Sequence, residues 1–266
     1  MKLGAHFSIS GKISNALIEA GKIRANVVQI FSSSPRGWQG PEIKKDSVDE
    51  FKKLARKYEI KDIFIHGKYL INLASDNKET VEKSIESLVN DMRLADKIGA
   101  VGVIFYPHIK NEKKLIENIR EVLRKTPEGV FLILEVAANT KIEDIGGVIK
   151  KIGDKRLKFC LDTAHIYEAG YDIKTEEGFR RVLRIIQDRV GFERWVVIHA
   201  NDSITRLGSH HDIHANIGEG EIGDKGFEMF LKNKITRELP YILETPVGKR
   251  GSFKSDLDKL KMLSFS

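Results

Sequence analysis

Four carboxylates and four imidazoles stand along this chain in a pattern suited to metal chemistry. Asp162 is followed three residues later by His165, and Asp212 two residues later by His214. His199 is followed by Asn201 and Asp202, while His66, Glu135 and Glu244 sit singly in apolar runs. Imidazole and carboxylate together form the donor set of catalytic zinc, and they also suit manganese or iron. Cys160 is the only cysteine, so no thiolate set is present for a structural zinc site. Residues two apart in extended chain point the same way, so Asp212 and His214 can grip one ion together. Taken alone, that triplet reads equally well as a polar surface loop. Eight ligands cannot close three tetrahedral sites, even where one carboxylate bridges two ions, which leaves the open positions catalysis needs. Three divalent ions against four carboxylates leave a net charge of about +2, a sign that favours a phosphodiester over a neutral sugar. Two such ions ~3.5–4 Å apart can generate a nucleophile and hold a leaving oxygen.

These residues need a frame that brings them together. Short β-branched apolar runs at 2–8, 27–32, 62–66, 102–106, 131–136, 157–162, 195–200 and 241–245 read as strands. Amphipathic stretches at 12–22, 47–58, 78–98, 112–125, 142–151, 175–189, 224–232 and 255–263 read as helices. The clearest is 78–98, with Val81, Ile85, Leu88, Val89, Met92, Ala95 and Ile98 at spacings of three and four and Asp76 or Asn77 as its cap. Eight strand–helix pairs in 266 residues predict an α/β TIM (β/α)8 barrel spanning 1–266 as a single domain, for which roughly 250 residues is typical. A doubly wound open sheet is the alternative, but the glycine-rich stretch at 218–223 follows no clear strand. In the barrel, His66, Glu135, Asp162, His199 and Glu244 end strands three, five, six, seven and eight. A single His or Glu in an apolar run is usually a satisfied core residue. Five at the same end of five strands, on the face where barrels gather catalytic groups, are not.

The formal net charge is +7, which raises the expectation of a polyanionic partner, although the basic residues are interleaved with acidic ones and form no block. A lone cysteine excludes an internal disulfide framework and points to a reducing compartment, the cytoplasm. No secretory apolar core opens the chain and no run of 18 apolar residues occurs, so no membrane association is expected.

Longer motifs surround the candidate ligands. They are Gly4-Ala5-His6-Phe7-Ser8, Tyr69-Leu70-Ile71-Asn72-Leu73, Leu161-Asp162-Thr163-Ala164-His165, Ala169-Gly170-Tyr171-Asp172, His199-Ala200-Asn201-Asp202-Ser203, Gly218-Glu219-Gly220-Glu221-Ile222-Gly223 and Ile242-Leu243-Glu244-Thr245. In this order, over nearly the whole chain, they resemble the endonuclease IV family of zinc-dependent AP endonucleases. The resemblance implies a zinc-dependent hydrolase of base excision repair. It would cut the phosphodiester 5′ to an abasic site in duplex DNA, by a hydroxide held between metals. Separately, a monomer is the expected working unit. The resemblance implies three zinc ions: His66 on the first, Glu135 bridging first and second and orienting or deprotonating the nucleophile, Asp162, His199 and Glu244 on the second, and His165, Asp212 and His214 on the third. It also implies that Arg36, Tyr69 and Leu70 enter the duplex at the lesion. An aromatic and an aliphatic wedge can replace lost stacking there. Without the resemblance, Tyr69-Leu70 reads as an ordinary amphipathic loop and Arg36 as a surface arginine.

The chain departs from the family pattern in two places. The family carries His-Pro-Gly after strand four, its His being a second imidazole on the first metal, whereas this chain has Tyr106-Pro107-His108. Tyr106 ligates through its oxygen, or His108 reaches back across Pro107, or the first site is weak and the protein holds two metals; the last is the preferred expectation. The family's Glu-Asn-Thr-Ala-Gly is here Glu135-Val136-Ala137-Ala138-Asn139, which alters the surroundings of the bridging carboxylate. His6 either lines the site or serves as a core donor, and His210 and His211 are expected in an exposed loop. Two other functions remain open: a metal-dependent sugar isomerase or epimerase on the same barrel, and a lesion-binding homologue with weak activity. Zinc is the expected ion, two or three per chain, with manganese possible.

Overall fold

The computed structural model describes residues 1–40 and 45–265. Its strands are β1 (Lys2–His6), β2 (Val27–Phe31), β3 (Asp62–His66), β4 (Gly102–Phe105), β5 (Phe131–Glu135), β6 (Leu157–Asp162), β7 (Trp195–His199), β8 (Asp202–Ser203), β9 (His214–Ala215) and β10 (Pro240–Leu243). Its helices are α1 (Asn15–Lys22), α2 (Lys45–Lys57), α3 (Lys78–Ile98), α4 (Glu112–Arg124), α5 (Ile142–Ile152), α6 (Thr163–Glu168), α7 (Glu176–Arg189), α8 (Gly223–Lys232) and α9 (Lys254–Phe265). Eight strands form a closed barrel in the order β1-β10-β7-β6-β5-β4-β3-β2, and β8 and β9 make a separate antiparallel ribbon. Among the described residues, no helix is long and apolar enough to cross a membrane.

Local chemistry explains the boundaries. The α3 periodicity runs from an Asn77 cap, whose side chain accepts from Thr80 N at 3.0 Å, to Gly99 at φ 75°. Asn111 and Thr175 cap α4 and α7 in the same way. Side-chain oxygens at these positions satisfy amide groups that a helix start leaves without partners.

Packing divides the chain into two compact units. The first comprises Met1–Ala5, Val136–Gly147 and Phe159–Ser266. The second comprises His6–Glu135 and Val148–Lys158. In the second unit, β2, β3, β4 and β5 pair in parallel, and the register sets His66 level with Phe31 and Ile104. In the first unit, β6, β7, β10 and β1 pair in parallel, with Asp162 level with His199 and His199 level with Ile242. The β6–β7 register slips between Phe159 and Cys160, and after that slip Asp162 and His199 stand side by side. Such irregularities commonly re-aim side chains beside active sites. The strands are buried nearly throughout, as parallel strands covered on both faces should be.

Candidate metal centre

In the unit spanning His6–Glu135, His66 closes β3 and is 2% exposed. Its Nδ1 lies 2.7 Å from Gly67 O, and its Nε2 lies 3.2 Å from Glu135 Oε2. A carbonyl only accepts, so the proton sits on Nδ1 and the Nε2 lone pair is turned toward the carboxylate. Glu135, the last residue of β5, is fully buried. Phe31 and Tyr106 flank the His66 ring, each with centroids 5.5 Å away. Tyr106 is half-buried and follows β4 directly, so the residue standing where the family has a histidine does lie beside His66. His108 is exposed at φ 44°. His6 Nδ1 accepts from Gln29 Nε2 at 3.0 Å rather than donating, and the residue lines a pocket with Phe7, Phe31, Ser33 and Pro35 that holds none of the candidate ligands.

A buried cation organises the neighbouring loops. Lys68, 4% exposed, donates to Gln39 O at 2.9 Å, to Ser34 O at 3.3 Å and to Ser33 Oγ. Burial lowers its pKa, and Asp91 opposes that shift. Burial pushes Asp91 up to about 6, while the Ser32 hydroxyl, Lys68 and His66 pull it back. Lys68 thereby ties the segment carrying exposed Arg36 to the one carrying Tyr69, 55% exposed, and half-buried Leu70.

In the unit containing Phe159–Ser266, Asp162 ends β6 and caps α6. Its Oδ1 accepts from His165 N at 3.1 Å, so one carboxylate both starts the helix and places His165. Asp162, His199 and Glu244 each bring a ligand atom within 4.8 Å of the others, and so do Asp162, His165 and His214. His199 Nδ1 is 3.6 Å from Glu244 Oε2 and 3.9 Å from Asp162 Oδ2. Glu244 lies one residue past β10, which ends at Leu243 rather than continuing to 245. Asp212 Oδ2 is 3.3 Å from His165 Nε2, and Asp212 Oδ1 is 3.2 Å from His214 Nε2. Asp212 and His214 thus point the same way, as their spacing predicts.

The donor chemistry of this set fits a cation. His165 Nδ1 lies 3.0 Å from Val136 O, and His214 Nδ1 lies 3.3 Å from Glu244 O. Both rings are therefore held as Nδ1–H, and both present Nε2 to Asp212. A lone pair facing a carboxylate requires a positive charge between them, either a proton or a metal ion. The field is strong: hydrogen bonds with His165 and His214 hold Asp212 well below the usual carboxylate range. Burial opposes the charge on His214, yet the bond to Asp212 and the charges of Asp162 and Glu244 raise it to about 9. Metal-ligating histidines usually donate their second nitrogen to a carbonyl or carboxylate in this way.

Two residues named only as parts of motifs order the surroundings: Asn201 bonds two candidate ligands, and Asp202 shapes the glycine-rich loop. Asn201, fully buried, donates from Nδ2 to Asp162 Oδ2 at 2.7 Å, and its Oδ1 accepts from Glu244 N at 2.8 Å. Asp202 accepts from five backbone amides: Ser203 N at 2.8 Å, Ile222 N at 2.9 Å, Gly218 N at 3.0 Å, Gly220 N at 3.1 Å and Gly223 N at 3.2 Å. One carboxylate therefore folds the whole glycine-rich loop. A Cβ on Gly220 would meet Ser203 O at 2.4 Å, so only glycine fits there. The order of these motifs along the chain was readable, but the contacts joining them were not. His210 and His211 are exposed, as expected.

A closed parallel barrel with histidine and carboxylate side chains at its strand ends defines a class. The chain matches the xylose isomerase-like TIM barrel family over residues 17–263. Within that class, the chain belongs to the endonuclease IV family. It is 35% identical over 274 residues to probable endonuclease 4 of Haloarcula marismortui, covering 99% of each. It is 32% identical over 279 residues to apurinic-apyrimidinic endonuclease 1 of Saccharomyces cerevisiae, covering 98% of this chain and 76% of that one. The crystal structure of endonuclease IV from Thermus thermophilus superposes with a TM-score of 0.90 at 30% identity, covering 99% and 98% of the two chains.

Proposed function

We infer that this protein is a metal-dependent AP endonuclease of DNA repair, which hydrolyses the phosphodiester 5′ to an abasic site in duplex DNA. The observation that carries this reading is the set of imidazoles pinned through Nδ1 to backbone carbonyls, with Nε2 aimed at carboxylates, in a chain of the endonuclease IV family. Zinc is the proposed ion. Asp162, His199 and Glu244 would hold one ion, His165, Asp212 and His214 another, and His66 with Glu135 a third position. When bound, such ions bring the pKa of water toward neutrality and offset phosphate charge. Glu135 would orient the attacking water and accept its proton, while also serving the neighbouring ion as the family resemblance implies. Asn201 would keep Asp162 in its ligating orientation. Arg36, Tyr69 and Leu70 would contact the strand at the lesion, on loops that Lys68 holds together. The net charge of +7 supports a polyanionic substrate. We further propose a monomer acting in the cytoplasm, in keeping with a chain that has one cysteine and no internal disulfide.

Tyr106 favours a second reading, in which the first ion is weakly held and the protein binds the lesion more readily than it cuts. Duplex DNA with a single abasic site, incubated with the protein and added zinc or manganese, separates the alternatives. Chelator-sensitive incision that is lost in Glu135→Gln supports the endonuclease. Lesion-dependent binding without incision supports the second reading. Neither result would sink both and leave a sugar isomerase as the remaining candidate.

A further inference from the structure

Glu168 is a fully buried carboxylate that the proposed chemistry does not use. It ends α6, three residues after His165 on the same short helix. Its Oε1 accepts from Ser203 Oγ at 2.7 Å, from Ile213 N at 3.3 Å and, at the long limit, from Thr205 Oγ1 at 3.4 Å. These donors stand at the two ends of one excursion of chain: Ser203 closes β8, and Ile213 immediately precedes β9. Ile213 is also the residue between Asp212 and His214. The backbone of the same helix end grips the middle of the excursion, since Gly208 N donates to Tyr167 O at 3.1 Å and His210 N to Glu168 O at 3.0 Å.

A buried carboxylate is costly unless hydrogen bonds satisfy it. Here all the side chain's donors come from the one loop that carries two candidate ligands. The loop's other bonds are mostly internal, among them Thr205 Oγ1 to His211 O at 3.1 Å and Ile204 N to Ile213 O at 3.0 Å, with His210 Nδ1 on Ala138 O at 3.1 Å, while Ile204, Leu207 and Ile213 are 60%, 41% and 49% exposed and the Asp212 side chain is 56% exposed. Without the clamp at its neck, Asp212 and His214 would have to be brought to His165 at the expense of loop entropy whenever an ion binds.

We propose that Glu168 is a positioning residue for the His165–Asp212–His214 ion site. The helix that supplies one ligand directly sets the other two through Ser203 Oγ and Ile213 N. This rests on the metal-site reading above. Groups that support metal ligands typically change affinity by ~10–100-fold when removed.

The test is a titration of the metal-free full chain with cobalt(II), followed by absorbance, together with zinc competition against a chromophoric chelator. Glu168→Ala is expected to lose ~10–100-fold in affinity for one ion while the other ions bind as in the parent. Glu168→Gln keeps a carbonyl acceptor and should restore most of that affinity. If Glu168→Ala does not fold, Ser203→Ala removes one of the donors and should give a smaller loss confined to the same ion. Unchanged ion affinities in a folded Glu168→Ala or Ser203→Ala variant overturn the proposal. An equal weakening of every ion, unrelieved by Gln, also overturns it. A parent chain that binds no cobalt or zinc overturns the metal-site reading itself, and is told apart from those results by the parent titration.

Discussion

Replacing Asn201 with alanine tests whether the site's order comes from side chains that never touch an ion. The structure supplies the magnitude. The substitution removes a 2.7 Å donor from Asp162 Oδ2 in a buried setting and a 2.8 Å acceptor from Glu244 N in a part-buried one. A hydrogen bond to a charged group contributes roughly 1.5–3 kcal/mol, and a buried amide left without a partner costs ~1–3 kcal/mol. The loss should therefore be about 3–5 kcal/mol in the metal-free protein. At ~2–4 °C per kcal/mol for a chain of this size class, the midpoint should fall by roughly 6–20 °C. Zinc affinity at the Asp162–His199–Glu244 position should fall ~10–100-fold, because the Asp162 carboxylate and the Glu244 backbone lose the group that holds them. Calorimetry of the metal-free protein and chelator competition measure the two effects separately. Asn201→Asp retains the acceptor for Glu244 N but sets a carboxyl against Asp162. Such a pair holds a proton to higher pH than either acid alone, so its stability is present at low pH and lost as pH rises. A variant with lowered stability but unchanged zinc affinity would show that Asn201 serves the fold alone and refute the reasoning.

Three other substitutions or conditions give separate readings. Asp202→Asn leaves one oxygen for five amide donors and turns an NH2 group toward the others, so urea unfolding should show a loss of roughly 3–5 kcal/mol; a loss under 1 kcal/mol would contradict the clamp. Tyr106→His places an imidazole beside His66, and the dialysed protein should retain more metal per chain than the parent; equal retention would show that Tyr106 is not the cause of a weak first site. His214, raised to about 9 without metal, must release its proton to bind an ion, so affinity at its site should rise about tenfold per pH unit up to that value. The sign for the metal-free chain is opposite. A raised pKa stabilises below the ordinary imidazole value, and that contribution is lost as pH climbs through about 9. Calorimetric zinc titrations in buffers of different ionisation enthalpy should detect proton uptake by the buffer at pH 7 to 8, and its absence would remove His214 from the ligand set.

Much of the scaffold was legible because its signals are local. The α3 repeat, its Asn77 cap and the apolar runs of β3 and β6 required only near neighbours, and 62–66, 78–98 and 157–162 match the observed elements residue for residue. The strand-end candidates were legible because a polar residue closing an apolar run is conspicuous. Other features depend on distant partners. The six-residue α6 is too short for a periodic signature and starts only because Asp162 caps it. The two-residue strands β8 and β9 exist through their pairing with each other. Asn201 reaches Asp162 across 39 positions, and Glu168 reaches Ile213 across 45, so neither role can be read from neighbouring residues.

Anomalous scattering at the zinc edge, from crystals grown with the metal, measures the centre directly. Strong peaks are predicted between Asp162, His199 and Glu244 and between His165, Asp212 and His214, with ligand distances of ~2.0–2.2 Å. A weaker peak is predicted between His66 and Glu135, beside the ring of Tyr106. Absence of zinc from the first two positions, with their side chains otherwise arranged as described, would contradict the metal centre and the hydrolytic function drawn from it.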